Sequence, residues 1–423
     1  MRYDLLYLLA LLFGWPLLVI GFIRRKRWPH NFRRKTARDG LDGRQCDVLL
    51  HCVSVGETNA AVPIYNSLAD KGLSVTVSVT TKTGHEVACK RYGEDNVVYM
   101  PYDFSAFVKR FLNAVRPATV ALFELEVWPN FVLECRRRGI PVAVVNGRMT
   151  DKSCRGYRRL HWLLAPIWKG ITFYGVQDES QMELFERAGA PTGKIRVCGS
   201  VKFDKTPPEG HQDAREDLGF APSDKVMAFG STHSGEEEIA LKAYQSLAEQ
   251  DSDVRLFLAP RHLERLSEVK ELLKRMHIHY SLRSEGGGEK VVLLDTMGEL
   301  SRLYGCAELL VMGGTLREGV GGHDPIEAAV LGKPVISGPY YRNFRDVTQR
   351  LVEGGGLRVL QDSETLPDLL SELLASPVRL QEMGESALDT VRKNAGAVNE
   401  YVTELTALAR DYQKRDTDER QVS

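Results

Sequence analysis

The sequence lacks any charge imbalance: its 423 residues carry 56 Lys and Arg against 56 Asp and Glu. A nucleic-acid binder working through overall basicity is therefore excluded. Cysteine pairing is missing too, because the seven cysteines (46, 52, 89, 135, 154, 198 and 306) are odd in number, scattered and without a C-x-x-C pair. That usage suits a reducing compartment and supplies no zinc site. No G-x-x-x-x-G-K-[ST] loop and no clean G-x-G-x-x-G occurs, which disfavours a kinase or a dehydrogenase. Acidic clusters with ligand spacing are also absent. The D-x-D triplets Asp251-Ser252-Asp253 and Asp416-Thr417-Asp418 read as solvated charges. His277 and His279, the only histidines read as close together, have no carboxylate beside them. Neither a metal nor a cofactor is expected, and no internal repeat or low-complexity tract is present.

What is there is an ordinary folded composition, 43% hydrophobic and 26% charged, at a length that calls for two domains. The exception is the amino terminus. Leu5 to Ile23 carries no charge and runs directly into Arg24-Arg25-Lys26-Arg27. A bilayer needs ~20 such residues, and no small-residue cleavage site comes after the run, so the expectation is a retained membrane anchor. The basic cluster puts the domain behind it on the cytoplasmic face. Gly14 and Pro16 leave open a kinked or embedded helix rather than a spanning one.

From Asp47 onward short apolar segments alternate with helical patterns, as in parallel βαβ units. Strands are expected at Val48 to Val53, Ser74 to Thr80, Val97 to Met100, Thr119 to Phe123, Val142 to Asn146 and Thr172 to Val176. A Pro, Gly and charge-rich stretch then intervenes, and strands resume at Val226 to Gly230, Arg255 to Ala259, Lys290 to Leu294, Leu309 to Met312 and Pro334 to Ser337. The expected fold class is α/β, two Rossmann-like doubly wound domains with a cleft between the carboxyl ends of their strands. The expected division is an anchor and basic segment over 1–38, a first domain over 39–205, a linker over 206–223 and a second domain over 224–385. Helices packing back on the first domain come next, over 386–412, then a tail over 413–423.

In the first domain, Ser54-Val55-Gly56-Glu57 succeeds a strand and opens a helix. Glu57 there either takes a proton from an acceptor hydroxyl or closes a capping box with Ser54. Glu124-Leu125-Glu126, with Val127-Trp128-Pro129 after it, places two acids at another strand end, and alternation points both to one side. Lys202, within Gly199 to Asp204, offers a cation that is otherwise a surface charge. Arg136 to Lys169 holds nine Lys or Arg and one acid, Asp151, among Tyr157, Trp162 and Trp168. Arg155, Arg158 and Arg159 are its candidates for anionic headgroups, against the plain reading of a solvated helix face.

The second domain carries the anion signals. Gly230-Ser231-Thr232-His233-Ser234-Gly235 opens a helix with Ser231, Thr232 and His233 free to meet a phosphate, unless Ser234-x-x-Glu237 is only a capping box. Gly313 to Glu327 holds five glycines, Gly322 among them, ahead of Asp324-Pro325-Ile326-Glu327. Glycine there allows close backbone approach to a ligand, Pro325 suits a first helical position, and Glu327 can hold a ribose diol. Pro260-Arg261-His262 adds a planar cation suited to phosphate.

Taken in order, His51 to Glu57, Tyr102-Asp103, Glu124 to Asn130, Asn146-x-Arg148, Gly199 to Asp204, Pro260 to His262, Met297 to Leu300, Gly321 to Glu327 and Ser337-Gly338-Pro339 resemble the Kdo transferase family of Gram-negative envelope synthesis. The resemblance implies a GT-B fold and an inverting, metal-independent transfer of 3-deoxy-D-manno-octulosonic acid (Kdo) from CMP-Kdo to a lipid A precursor. The place implied is the cytoplasmic face of the inner membrane. By the same resemblance Glu57 is the general base, while Glu124 and Lys202 stabilise the transition state. CMP falls to Pro260, Arg261, Met297, Gly298, Glu299 and Asp324 to Glu327. Partners are thus the donor, the lipid acceptor and the membrane, with no nucleic acid. The chain departs from the family at Asp324, where Asn is usual, at Leu125, where Thr is usual, and at Ala328, where Pro is usual. Asp324 adds a negative charge beside the expected nucleotide. A UDP-sugar glycosyltransferase and a non-catalytic membrane nucleotide-binding protein are the rival readings.

Overall fold

The computed structural model describes residues 3–12, 31–41 and 44–422. The chain divides into two compact units, Met1–Asp204 with Ala395–Ser423, and Lys205–Asn394. The division departs from the sequence reading at two places. Residues 206–223 are not a free linker but belong to the second unit, where His211–Asp213 and Ala214–Asp217 form short helical turns. The chain returns to the first unit at Ala395 rather than at 386, so the helix Pro377–Asn394 stays with the second.

The first unit is a seven-stranded parallel sheet. Its strands are β1 (Val48–Cys52), β2 (Val75–Val79), β3 (Val97–Tyr99), β4 (Thr119–Phe123), β5 (Val142–Gly147), β6 (Phe173–Val176) and β7 (Ile195–Val197), in the spatial order 3-2-1-4-5-6-7. Every residue of β1, β2 and β4 is buried, as helices on both faces require, and this is why these strands are mostly apolar, with Thr76 and Ser78 of β2 buried as well. The second unit repeats the plan. Its strands are β8 (Lys225–Thr232), β9 (Val254–Pro260), β10 (Ser281–Leu282), β11 (Val291–Leu293), β12 (Leu309–Met312), β13 (Val335–Ser337) and β14 (Leu357–Val359), in the order 10-11-9-8-12-13-14. The sequence reading missed β7, β10 and β14, all edge or near-edge strands of two or three residues. β10 and most of β7 and β14 stay partly exposed and carry no apolar run.

In each sheet the strand order reverses beside its first strand, between β1 and β4 and between β8 and β12. That is where an open α/β sheet splits its helices and opens a crevice at the strands' carboxyl ends. Glu57 and Glu124 lie just past β1 and β4. Ser231 to His233 and the glycine-rich turn lie at the ends of β8 and β12.

Among the described residues no helix is long and apolar enough to cross a membrane. The anchor expected over Leu5 to Ile23 is described only to residue 12; the rest of it lies outside the described residues. Residues 3–12 are helical and pinned to the first unit. Tyr3 donates to the Leu163 carbonyl (2.6 Å), Tyr7 donates to Asp103 Oδ2 (2.8 Å), and Asp4 accepts from Ser105 N (2.9 Å) and Asn130 Nδ2 (3.0 Å). The leucines at 5, 6, 8, 9, 11 and 12 remain exposed.

Candidate active site

At the end of β1, Ser54 caps the helix Val55–Ala60. Its hydroxyl accepts from Glu57 N (3.2 Å) and donates to Glu57 Oε1 (2.8 Å), while Glu57 Oε2 accepts from Val53 N (2.8 Å). The capping box is therefore made, and it fixes the carboxylate at the sheet's crevice. Burial raises the proton affinity of Glu57, against the hydrogen bonds from Val53 and Ser54 that lower it, and Glu124 raises it further.

The structure corrects the placement of the second pair of acids. β4 ends at Phe123, so Glu124 and Glu126 sit in the loop beyond it and strand alternation does not orient them. Glu124 takes a left-handed backbone, φ 62°, its N–H still bonds Val145 O at 2.9 Å, and its carboxylate meets Arg148 Nε at 3.2 Å. Non-glycine residues held in this region store strain that surrounding structure must offset. Glu126, which sequence reasoning carried only as part of the motif, is half-buried and pushed up to about 7, by burial first and then by Glu57 and Glu124. Three carboxyls thus gather at one crevice, and the proton affinities of Glu57 and Glu126 are raised there.

Neighbouring motif residues act as supports. Buried His51 receives Trp128 Nε1–H on Nε2 (3.2 Å) and turns Nδ1 to the Ser78 carbonyl (3.1 Å); burial takes it down to about 4, against the Ser78 carbonyl, which raises it. Asp103 accepts from the N–H groups of Asn130 (3.0 Å) and Phe131 (2.8 Å), satisfying two otherwise orphaned donors at the start of the helix Pro129–Arg137. Asn146, at φ 55°, accepts from Val201 N (3.2 Å) and so ties the turn Val201–Phe203, with Lys202 in it, to the end of β5. Arg155, Arg158 and Arg159 lie exposed on the helix Asp151–Arg159, and Trp162 just beyond is 66% exposed.

In the second unit the alternative capping box of Ser234 and Glu237 is not formed. Glu236 takes the backbone instead, accepting from His233 N (2.9 Å), Gly314 N (2.7 Å) and Leu316 N (2.9 Å). Those N–H groups are thereby closed to a ligand, contrary to the sequence reading of the glycine-rich turn. Glu237 is held by Thr232 Oγ1 (2.9 Å) and by Arg265 through two bonds (2.9 and 3.2 Å), so Thr232 is also engaged. Ser231 sits at φ 57°, and a side chain at Gly230 would run into the hydroxyl of buried Tyr304.

The largest correction concerns histidine. Residues far apart in sequence meet here: His233 Nε2 lies 2.9 Å from His323 Nε2 with the rings stacked, and His262 meets His233 edge-on at 5.5 Å between centroids. Burial, then His233 and Arg261, hold His323 down to about 4. Burial and His262 also lower His233. At neutral pH His233 and His323 are uncharged rings beside the exposed cation Arg261, and an arriving anion would favour their protonation. No sequence spacing announces such a set.

Met297 and Gly298 are exposed, while Glu299 is drawn to Arg302 (3.2 Å), Arg283 (3.4 Å) and Thr296. Ahead of the short helix Ile326–Ala329, Asp324 Oδ1 accepts from Ile326 N (3.1 Å) and Asp324 Oδ2 accepts from Lys205 Nζ (2.7 Å). Lys205 also reaches Glu327 at 3.4 Å. Among the described residues no group of three or more His, Cys, Asp or Glu could hold a metal ion.

The family model for 3-deoxy-D-manno-octulosonic-acid transferase (kdotransferase) matches residues 25–205. A 3-deoxy-D-manno-octulosonic acid transferase of Bordetella pertussis is 33% identical over 414 residues, 92% of this chain and 96% of the relative. That of Haemophilus influenzae is 31% identical over 362 residues, 83% of this chain and 84% of the relative. The chain belongs to the 3-deoxy-D-manno-octulosonic acid transferase family. The Kdo transferase fold is GT-B-like, as solved structures of low identity show: the UDP complex of Anabaena Alr3699/HepE has a TM-score of 0.55 at 15% identity, covering 85% of this chain and 99% of that one. MurG of Acinetobacter baumannii has a TM-score of 0.53 at 13% identity, covering 85% and 99%.

Proposed function

We propose that this Kdo transferase moves Kdo from CMP-Kdo to a lipid A precursor, with inversion and without a metal. The observation that carries the reading is the carboxyl set at the β1/β4 crevice, where Glu57 is held by its capping box and its proton affinity is raised by burial. A carboxylate fixed in this way is suited to take the proton from an acceptor hydroxyl, a contribution of ~10² to 10⁴ in rate. Glu124, oriented by Arg148, and Lys202 stabilise the charge that develops. In the second unit Arg261 and the rings of His233, His262 and His323 take the CMP phosphate. Pro260, Met297, Gly298, Glu299 and Asp324 to Glu327 surround the nucleoside, with Glu327 on the ribose. A monophosphate leaving group has no pyrophosphate to chelate, so fixed cations and dipoles suffice for it.

The acceptor's acyl chains and sugar phosphates place the enzyme at the cytoplasmic face of the inner membrane. Supporting this, the pinned helix over 3–12 turns exposed leucines outward, and Tyr3 docks it on the helix that carries exposed Trp162. Arg155, Arg158 and Arg159 are set to meet anionic headgroups, each contributing about 1 kcal/mol near such a surface.

The test is incubation with CMP-Kdo, or with UDP-sugars, and a tetraacylated lipid A precursor, read by mass spectrometry of the lipid and by release of nucleotide. Kdo addition with CMP release, lost in Glu57→Ala, is expected. Turnover of a UDP-sugar alone, or full activity in Glu57→Ala, would overturn the reading.

A further inference from the structure

The extra negative charge of Asp324 does not stand alone. Lys205, the first residue of the second unit, comes from a segment far away in sequence to place its ammonium 2.7 Å from Asp324 Oδ2 and 3.4 Å from Glu327 Oε1. All three side chains are partly or largely withdrawn from water: their relative exposures are 35% for Lys205, 17% for Asp324 and 37% for Glu327. Burial by itself would lower the lysine's proton affinity, yet the two carboxylates more than reverse it, so the ammonium stays charged. Two acids and one cation leave a net charge of −1 on the turn. Without the lysine the turn would carry −2, facing any phosphate-bearing ligand.

From this geometry we infer that Lys205 is a positioning residue for the nucleotide: it cancels the charge of Asp324 and holds Glu327 in the orientation that meets the ribose. The inference rests on the donor-site reading above. A truncation that leaves a partly buried charge unpaired weakens binding mainly through that uncompensated charge. The deficit must therefore be repairable by removing the charge rather than by restoring the lysine.

The experiment measures CMP binding by calorimetry in the full-length protein and in Lys205→Met, Lys205→Arg and Lys205→Met/Asp324→Asn, with far-ultraviolet circular dichroism as the check on folding. Lys205→Met is expected to bind CMP about tenfold more weakly, a deficit of ~1.4 kcal/mol, which shrinks with added salt because it is a charge effect. Lys205→Arg keeps the charge and is expected within about threefold of the parent. The double variant restores the parent's charge count and is expected to regain most of the affinity, in KM for the donor rather than in kcat. If the parent binds CMP and Lys205→Met binds it equally well, the inference is wrong. It is equally wrong if the folded double variant stays as weak as Lys205→Met. If the parent itself does not bind CMP, the donor-site reading falls, and the inference falls with it.

Discussion

Replacing Glu126 with Gln removes a half-buried carboxyl that is pushed up to about 7 by burial and by the charges of Glu57 and Glu124. A group whose folded proton affinity exceeds its unfolded one stabilises the fold when protonated, and that contribution is lost as pH rises through the folded value. A rise from 4.5 to about 7, at ~1.4 kcal/mol per tenfold in proton affinity, sets a ceiling of about 3 kcal/mol. Residual solvent access, and coupling to the neighbouring Glu57, reduce the expected value to about 1–2 kcal/mol. The five tryptophans, at 15, 28, 128, 162 and 168, all precede residue 205, so fluorescence-detected urea unfolding reports the first unit alone. The parent and Glu126→Gln are expected to unfold at similar urea near pH 5. Toward about pH 8 the variant becomes the more stable by that 1–2 kcal/mol. Curves that run parallel across this range, or a gap that opens the other way, would refute the claim that three carboxyls share one crevice.

Asp103→Ala strips the acceptor from two helix N–H groups and from Tyr7, and a loss of about 2–3 kcal/mol in the same unfolding assay is expected. Transfer should proceed undiminished in excess EDTA; activity that EDTA abolishes and magnesium restores would contradict the fixed cations and dipoles assigned to the phosphate. With Arg155, Arg158 and Arg159 all changed to Ser, sedimentation with anionic vesicles is expected to weaken by about 3 kcal/mol at low salt, and the acceptor KM to rise more than the donor's. An unchanged vesicle affinity would reduce that helix to a solvated face.

Legibility in the sequence tracked burial. The central strands β1, β4, β8 and β12 are mostly apolar runs, and all four were readable within two residues at either end. β7, β10 and β14 escaped because an edge strand, covered on fewer sides, needs no such run. Glu57 was visible through its Ser54 spacing, and the capping box that this spacing suggested is formed. The capping role of Glu236 was not read, because which carboxylate turns back on the backbone depends on the left-handed Gly235, φ 86°, and not on a three-residue spacing. The histidine set and Lys205 were invisible for a different reason. His233 and His323 are joined only when β8 and β12 become neighbours, and Lys205 meets Asp324 across 119 residues.

The first unit is not finished until the end of the chain is made. Its helix from Ala397 lays Tyr401, Val402 and Leu405 into the same buried cluster as β1 and β2. Tyr401 fills the space over Gly175 and donates to the Gly199 carbonyl, and Asp204 accepts from Gly396 and Val398 at that helix's start. During synthesis the unbroken segment 205–394 is complete first, while one face of the earlier sheet waits for the last 29 residues. A premature stop near residue 394 would leave the second unit intact and the unit that carries Glu57 with an open apolar face. The segment that can be cut out and kept is therefore the second unit, and the first can be rebuilt only by splicing its two pieces together.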